Sequence, residues 1–329
     1  MRKLSDAAAA VGVALGWYGN NCPETHGIGR GPKYCGEHGK LPANWLPALR
    51  GDVEALIRYN FSSVKLDNPD CGANGDMQAY YDLVAKASPG RPIVIENCHY
   101  NTSYPHWADH PGGVLACPMH LYRVSNDIKA NWESIQRNAL ATIPYADATN
   151  PLSRPGCWAY PDMLEVGVAG QNGHSEGGLT FAEERTHFGQ WCVISSPLTL
   201  SFDLGNSTVV DAAWPIVTNT EALAVSQSYY GHPGTLLDED KDNAGGAWQV
   251  WGKPQGNGAT AILVINMLPE TQSFRVPITA YGKGQSAARH VRDIWTQKDV
   301  GVVTDGVLRV DNLPSHDSMF LLVAEAPGL

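Results

Sequence analysis

Charge is scarce in this 329-residue chain: Asp, Glu, Lys and Arg make up only 17% of it. The 33 acidic residues outnumber the 23 basic ones, giving a formal charge of −10 at pH 7 with no long run of either sign. Nucleic acid and anionic membrane surfaces both reward a basic face, so neither is expected as a partner. No stretch of 18 or more apolar residues occurs, so no membrane-spanning helix is expected. The seven cysteines (22, 35, 71, 98, 117, 157 and 192) include no C-x-x-C pair and are confined to the first two thirds. Cys22, His26, Cys35 and His38 lie close together, but their spacing fits no familiar zinc finger, and no metal is expected.

What is abundant is apolar and aromatic. Hydrophobic residues at 43% describe a globular chain long enough for a large domain and a small one. Ten Trp and thirteen Tyr supply flat faces suited to sugar C–H surfaces, although core packing is the commoner use of any one of them. Three glycosylation acceptor patterns, Asn60-Phe-Ser, Asn101-Thr-Ser and Asn206-Ser-Thr, stand beside the cysteines and point to a secretory, oxidising compartment. The opening MRKLSDAAAAVGVALGW imitates a signal peptide, but Ser5-Asp6 interrupts it and no convincing cleavage site follows. It reads as the end of a helix feeding a buried strand.

From residue 11 to about 204 short apolar runs alternate with polar loops and helical segments. The runs are GVALGW, SSVKLD, RPIVIEN, LYRVSND, DMLEVG and SPLTLSFD. Between them GDVEALIRYN places Val53, Leu56 and Ile57 on one helical face, and MQAYYDLVAKA and FAEERTHFGQWCVI behave likewise. Such alternation predicts a parallel β/α architecture over residues 1–232. Beyond the polar connection GTLLDEDKDNAGG the texture changes to AWQVWGK, ATAILVIN, QSFRVPI, ARHVRDIW, GVLRVDNL and MFLLVAEA, separated by turn signals. No helical period intervenes, so residues 233–329 are expected to form a small antiparallel β-sandwich.

Four of the six apolar runs end on or just before an acid: Asp67, Glu96, Asp127 and Asp203; Asp162 opens a fifth. In a β/α barrel the carboxyl ends of the strands face the loops, and functional side chains collect there. SSVKLDNPDC makes the point most sharply, because Lys65 and Asp67 share one strand face above apolar Val64 and Leu66. For a single acid the alternative is helix capping, and Asp127 before IKANWESI is placed to do that.

At these motifs the chain resembles the glycoside hydrolase family 27 α-galactosidases, from about residue 5 to its end. VKLDNPDC resembles the family's K-Y-D-N-C strand, and YRVSNDI its W-R-x-x-x-D-I. PDMLEVG followed by SEGGLTFAEERTHFGQWCVISSPLTLSFDL resembles D-P-D-M-L-x-x-G and the helix and strand after it; VRDIWTQKDVG is similar to the family's β domain. The resemblance implies a (β/α)8-type barrel followed by an antiparallel β-sandwich, no cofactor, and α-galactoside oligosaccharides, glycolipids or polysaccharides as partners, in a secreted, lysosomal or vacuolar setting. Homo-oligomer formation stays open. By position, Asp67 matches the nucleophile and Asp127 the general acid/base. Lys65, Glu96 and Arg123 match sugar-contacting positions, Asp162 and Met163 a further site position, and Trp17 or Tyr18 an aromatic at the third strand. Cys22–Cys71 and Cys98–Cys117 resemble the family's disulfides, although Cys71 follows Asp67 by four residues rather than two. Cys35, Cys157 and Cys192 are left without assigned partners.

Those residue types suit retaining hydrolysis. One carboxylate attacks the anomeric carbon and one carboxylic acid protonates the leaving oxygen, about 5–5.5 Å apart. Lys65 supplies positive charge near the nucleophile, the acid role calls for a raised pKa of the kind that burial and an anionic partner provide, and Arg123 holds a sugar hydroxyl, orients the carboxylate or forms a structural ion pair. A glutamate at position 96 suits the galactose 2-hydroxyl and opposes an acetamido group, where N-acetylgalactosaminidases carry a small residue. Two departures stand out. The family's first two strands, with G-W and D-D-C-W, have no counterpart, leaving about six strands where closure takes eight. Tyr160 also replaces the first aspartate of W-N-D-P-D-M. The alternatives are therefore an α-N-acetylgalactosaminidase, a β-L-arabinopyranosidase, or an inactive sugar-binding homologue.

Overall fold

Alternate residues of a strand face opposite ways, and Ser63–Asp67 obeys this strictly: Val64 and Leu66 are buried while Ser63, Lys65 and Asp67 stay half-exposed. In a computed structural model that describes residues 1–20, 45–67, 77–98, 117–168, 178–240, 246–278, 281 and 288–326, this strand sits in the first of two compact units, Met1–Val124 and Ser125–Leu329.

The first unit runs α1 (Arg2–Ala10), β1 (Gly16–Asn20), α2 (Trp45–Tyr59), β2 (Ser63–Asp67), α3 (Met77–Ala87), β3 (Val94–Asn97) and β4 (Leu121–Arg123). Its strands pair in parallel in chain order, with Tyr18 level with Lys65 and Lys65 level with Glu96. The helices bury one face each: Leu49, Val53 and Leu56 from α2, and Met77, Tyr80 and Val84 from α3. The opening helix is present, but the strand after it starts later than the apolar run suggests. Gly12 turns the chain with φ +79°, Val11 and Val13 are exposed, and pairing begins only at Gly16.

The second unit continues with α4 (Trp132–Leu140), β5 (Trp158–Tyr160), α5 (Phe181–Val193), α6 (Ser207–Val217) and α7 (Thr220–Gln227). The segments DMLEVG and SPLTLSFD, expected as strands, meet only at an isolated parallel bridge, Leu164 to Leu200. Pro161 lacks an N–H, and Asp162 has a left-handed φ of +86°, so the strand stops at Tyr160. Leu164 N–H donates to Thr199 O at 2.8 Å, and the Ser201 hydroxyl donates to Leu164 O. The expected barrel strands thus resolve, among the described residues, into β1–β4, β5 and this bridge.

An antiparallel sandwich follows, made of β6 (Thr235–Glu239), β7 (Trp248–Pro254), β8 (Thr260–Asn266), β9 (Gln272–Pro277), β10 (Arg289–Asp293), β11 (Lys298–Val303), β12 (Val307–Leu313) and β13 (Ser318–Glu325). Six of these strands form one sheet in the order β11-β10-β13-β8-β7-β6, and β12 pairs with β9 in a second. In β8, Ile262 and Val264 pack into the inter-sheet core with Val276, Leu308 and Val310. Ala261, Leu263 and Ile265 face the other way, against Phe188, Trp191 and Cys192 of α5. The approach of α5 is close enough that a Cβ on Gly189 would lie 2.8 Å from Leu263 Cδ1.

Polar ties complete this unit. Asn219 caps α7 by accepting from Glu221 N–H and Ala222 N–H, and its amide donates to Ile294 O at 2.9 Å. Arg292 forks onto Glu221, and Arg185 onto Asp317. Replacing Asn219 with Ala removes the cap and strands a buried carbonyl, so a loss of about 2–3 kcal/mol is expected in urea unfolding; a loss below about 0.5 kcal/mol would show that water takes over both roles.

Glu165 makes stability depend on pH. It is buried, its N–H donates to His187 Nε2 at 2.9 Å, and burial together with the charge of Asp162 lifts its carboxyl from 4.5 to about 7. Between those values the folded protein holds a proton that the unfolded chain has released, so stability falls as pH rises through this window. Glu165→Gln is expected to flatten that slope, worth on the order of 3 kcal/mol. Unfolding midpoints measured from pH 4.5 to 7.5 check this, and an unchanged slope refutes it.

Candidate active site

At the carboxyl ends of β1–β4 the first unit gathers five of the residues singled out above. Lys65 and Asp67 share the half-exposed face of β2, because they are two residues apart. The strand register puts Tyr18, Lys65 and Glu96 in one cross-strand row, with Asp67 one step beyond it toward the rim. The Tyr18 hydroxyl donates to Asp67 Oδ2, and Lys65 Nζ lies 3.3 Å from Glu96 Oε1. Arg123, which ends β4, is buried. Trp17 lies on the opposite face of β1 from Tyr18, its ring 5.2 Å from that of Phe61.

One thiol reports on this gathering. Cys98 directly follows β3 and is buried; burial pushes its pKa up to about 11, Arg123 and Lys65 oppose the rise, and Asp67 and Glu96 reinforce it. All four groups are therefore close enough to this one thiol to bear on its charge. The Tyr18 phenol thus donates to one carboxylate, and the Lys65 ammonium lies beside the other.

The second unit holds the remaining three. Asp127 is exposed, and it does not cap the helix after it: Asn131 does, accepting from Ser134 N–H at 2.9 Å. Asp162 is buried and spans two backbone donors, Ile128 N–H at 3.1 Å and Met163 N–H at 2.8 Å. Its own carbonyl accepts from Trp191 Nε1 at 2.8 Å. Met163 is partly buried against the core that contains Trp191. Tyr160, where the family motif has an aspartate, is buried. Sequence reasoning missed Asn138, whose amide donates to Asn126 O at 2.9 Å and to Pro161 O at 3.1 Å. Its signal was an asparagine at a buried position inside an otherwise regular helix.

The disulfide expectation needs correction. Cys98 is a free, buried thiol, whereas Cys117 is already disulfide-bonded, as is Cys157. A cysteine forms one such bond at a time, so the Cys98–Cys117 pair does not exist. Cys192 is also free and fully buried. Cys22, Cys71 and Cys35, with the rest of the cysteine–histidine group, lie outside the described residues.

Comparison with known proteins places these features in context. The family model described as "Alpha galactosidase A" matches residues 29–228, and that of the "Alpha galactosidase C-terminal beta sandwich domain" matches residues 245–323. The chain is 26% identical over 328 residues to the alpha-galactosidase of Oryza sativa subsp. japonica, covering 98% of this chain and 68% of that protein. It is 26% identical to a probable alpha-galactosidase of Dictyostelium discoideum, over 80% of this chain and 61% of the relative. Against the probable alpha-galactosidase D of Neosartorya fischeri it covers 92% of itself but only 45% of the relative, so it spans about half to two thirds of these proteins. Among solved structures, alpha-galactosidase I from Mortierella vinacea superposes with a TM-score of 0.74 at 20% identity, over 100% of this chain and 81% of that one. A putative alpha-galactosidase from Bacteroides fragilis gives 0.74 at 20% identity, over 99% and 65%. A parallel sheet whose strand ends carry Lys65, Asp67 and Glu96, the Asp127 and Asp162 motifs, and a terminal sandwich thus occur together and in the family's order: the chain belongs to the α-galactosidases of glycoside hydrolase family 27.

Proposed function

We propose that this chain is a retaining glycoside hydrolase that releases terminal α-linked galactose by double displacement. Asp67 is the nucleophile in this reading: its carboxylate attacks the anomeric carbon as the glycosidic C–O bond breaks. Asp127 delivers the proton that the leaving oxygen needs. Water then attacks the glycosyl-enzyme, gives its proton to the Asp127 carboxylate and frees Asp67. Such a reaction requires the two carboxyl groups about 5–5.5 Å apart and no metal or organic cofactor.

The observation that carries the reading is the gathering of Tyr18, Lys65, Asp67 and Glu96 at the ends of three neighbouring strands. A purely structural ion pair would need two of these groups, not four on one rim. The Tyr18 hydroxyl supports the nucleophile role, because a donor aimed at Asp67 sets the orientation of its carboxylate. Glu96, with Lys65 beside it, supports galactose over N-acetylgalactosamine: a glutamate side chain accepts from a 2-hydroxyl but meets an acetamido group with a steric and solvation cost. Raffinose, the ligand in a solved alpha-galactosidase structure from Saccharomyces cerevisiae, is a fitting first natural substrate to test. The disulfide-bonded state of Cys117 and Cys157, with the three glycosylation patterns, supports an oxidising compartment such as the secretory route or a vacuole.

A 2-fluoro-α-galactoside with an activated leaving group is expected to label the peptide that contains Asp67. Asp67→Asn is expected to lower kcat by about three orders of magnitude or more while galactose still binds. Label on another carboxylate, or near-normal turnover by the variant, removes Asp67 from the nucleophile role.

Glu96→Ser is expected to reduce kcat/KM for nitrophenyl α-galactoside at least about tenfold and to raise the relative rate on the α-N-acetylgalactosaminide. An unchanged ratio between the two substrates shows that specificity is set elsewhere.

A further inference from the structure

Asp127 lies between two peptide groups, and both are held by buried side chains. The carbonyl of the preceding peptide, Asn126 O, accepts from Asn138 Nδ2 at 2.9 Å. The N–H of the following peptide, Ile128 N, donates to Asp162 Oδ2 at 3.1 Å. The same Asn138 amide reaches Pro161 O at 3.1 Å, immediately before Asp162, so the two holding residues are themselves tied together. Asp162 is fixed in turn by its second oxygen on Met163 N–H and by Trp191 Nε1 on its carbonyl. Beyond Ile128 the restraint continues, with Lys129 N–H on Ser134 Oγ at 2.9 Å.

Asn138 occupies its position at a cost. Asparagine is a weak helix former, its side chain is fully buried in α4, and its Oδ1 has no hydrogen-bond partner among the described residues. A leucine there would suit the helix better. The two carbonyl bonds are what the asparagine adds, and one of them ends on the residue next to Asp127.

We propose that Asn138 and Asp162 form a two-point clamp on the peptides flanking Asp127, which makes Asn138 a positioning residue for the acid/base. The proposal rests on the hydrolase reading above. With both peptide planes fixed, the backbone torsions of Asp127 are fixed. A carboxylic acid that must meet a leaving oxygen at hydrogen-bond range gains from that restriction, since small misplacements of a reacting group are costly in rate.

The test compares the whole chain with its Asn138→Leu variant on two α-galactosides. Methyl α-galactoside needs protonation to leave, whereas 2,4-dinitrophenyl α-galactoside does not. A positioning role predicts that kcat/KM for the methyl glycoside falls about 30- to 100-fold while that for the dinitrophenyl glycoside stays within about threefold. Equal losses on both substrates, or no loss on either, overturn it. Amide hydrogen exchange gives a readout independent of turnover: the 125–130 segment is expected to exchange at least about tenfold faster in the variant, with β8 unchanged. Unchanged exchange in that segment also overturns the clamp. If the unsubstituted chain cleaves neither glycoside, the hydrolase reading fails, while the exchange result still decides whether the clamp exists. Should Asn138→Leu not fold, Asn138→Ser, which keeps a single donor, serves with the same criteria.

Discussion

A strand can carry charge at its end only if the side chains of its two faces are kept apart, and the period of two does this without further help. On β2 it sends Val64 and Leu66 into the core and Lys65 and Asp67 to the open face. The parallel register then repeats the separation across neighbours, so that Tyr18, Lys65 and Glu96 align in one row. No loop has to bring these groups together; the hydrogen-bond ladder does so. A one-residue slip of β2 would bury Lys65 and Asp67 and expose Val64 and Leu66, which costs several kcal/mol and fixes its register firmly.

The sandwich region has a part in this economy that its strands alone do not reveal. Its six-stranded sheet is apolar on both faces, one against β9 and β12, the other against α5. Its turn at 314–317 also reaches the start of α4. His316 stacks on Trp132 with ring centroids 4.2 Å apart and planes 7° from parallel, and its Nδ1 lies 2.7 Å from Glu183 Oε1. Asp317 accepts the Arg185 fork, and Thr186 donates to His316 O at 2.8 Å. Trp132 follows the capping residue Asn131 directly, so the sandwich braces the helix whose first turn sets the 127–131 loop. Losing the sandwich would loosen that loop as well as expose α5.

Much of this was legible in the sequence because it rests on periodicity. The helix over MQAYYDLVAKA coincides with α3, FAEERTHFGQWCVI contains α5, and the alternating runs after residue 247 correspond to β7–β10, β12 and β13. Strand β6 was read as a polar connection because TLLDE has a largely solvated pattern, and β11 was hidden for the same reason by its exposed Lys298-Asp299-Val300. Helix α6 carries Pro215 and paired valines, which weaken its signal; the cap that starts it is Asn206, the asparagine of one of the three Asn-x-Ser/Thr patterns. The cysteine pairing failed for a different cause. Spacing along the chain says little about which thiols meet, and position 98 shows a buried free sulfur where likeness to the family implied a bond.

The segment 161–167 shows how a polar core can serve an irregular backbone. In a strand ladder its peptide groups would bond to neighbouring strands; here side chains do most of that work. Asn138 takes Pro161 O, Trp191 takes Asp162 O, Asp162 itself takes Met163 N–H, His187 takes Glu165 N–H, and Glu184 Oε1 takes Gly167 N–H at 2.7 Å. Each donor or acceptor is supplied from α4, from α5 or from the segment itself. His187 can accept because burial holds its imidazole neutral, with the pKa pushed down to about 3. A sheet would satisfy these peptides more cheaply, but it would point Asp162 and its neighbours alternately up and down. Side-chain partners allow the chain to turn at Asp162 with a positive φ and present that carboxylate to the peptide beside Asp127. The buried polar residues of α4 and α5 are therefore best understood as replacements for a missing strand partner, and the freedom they give the backbone is what places an acid under the loop.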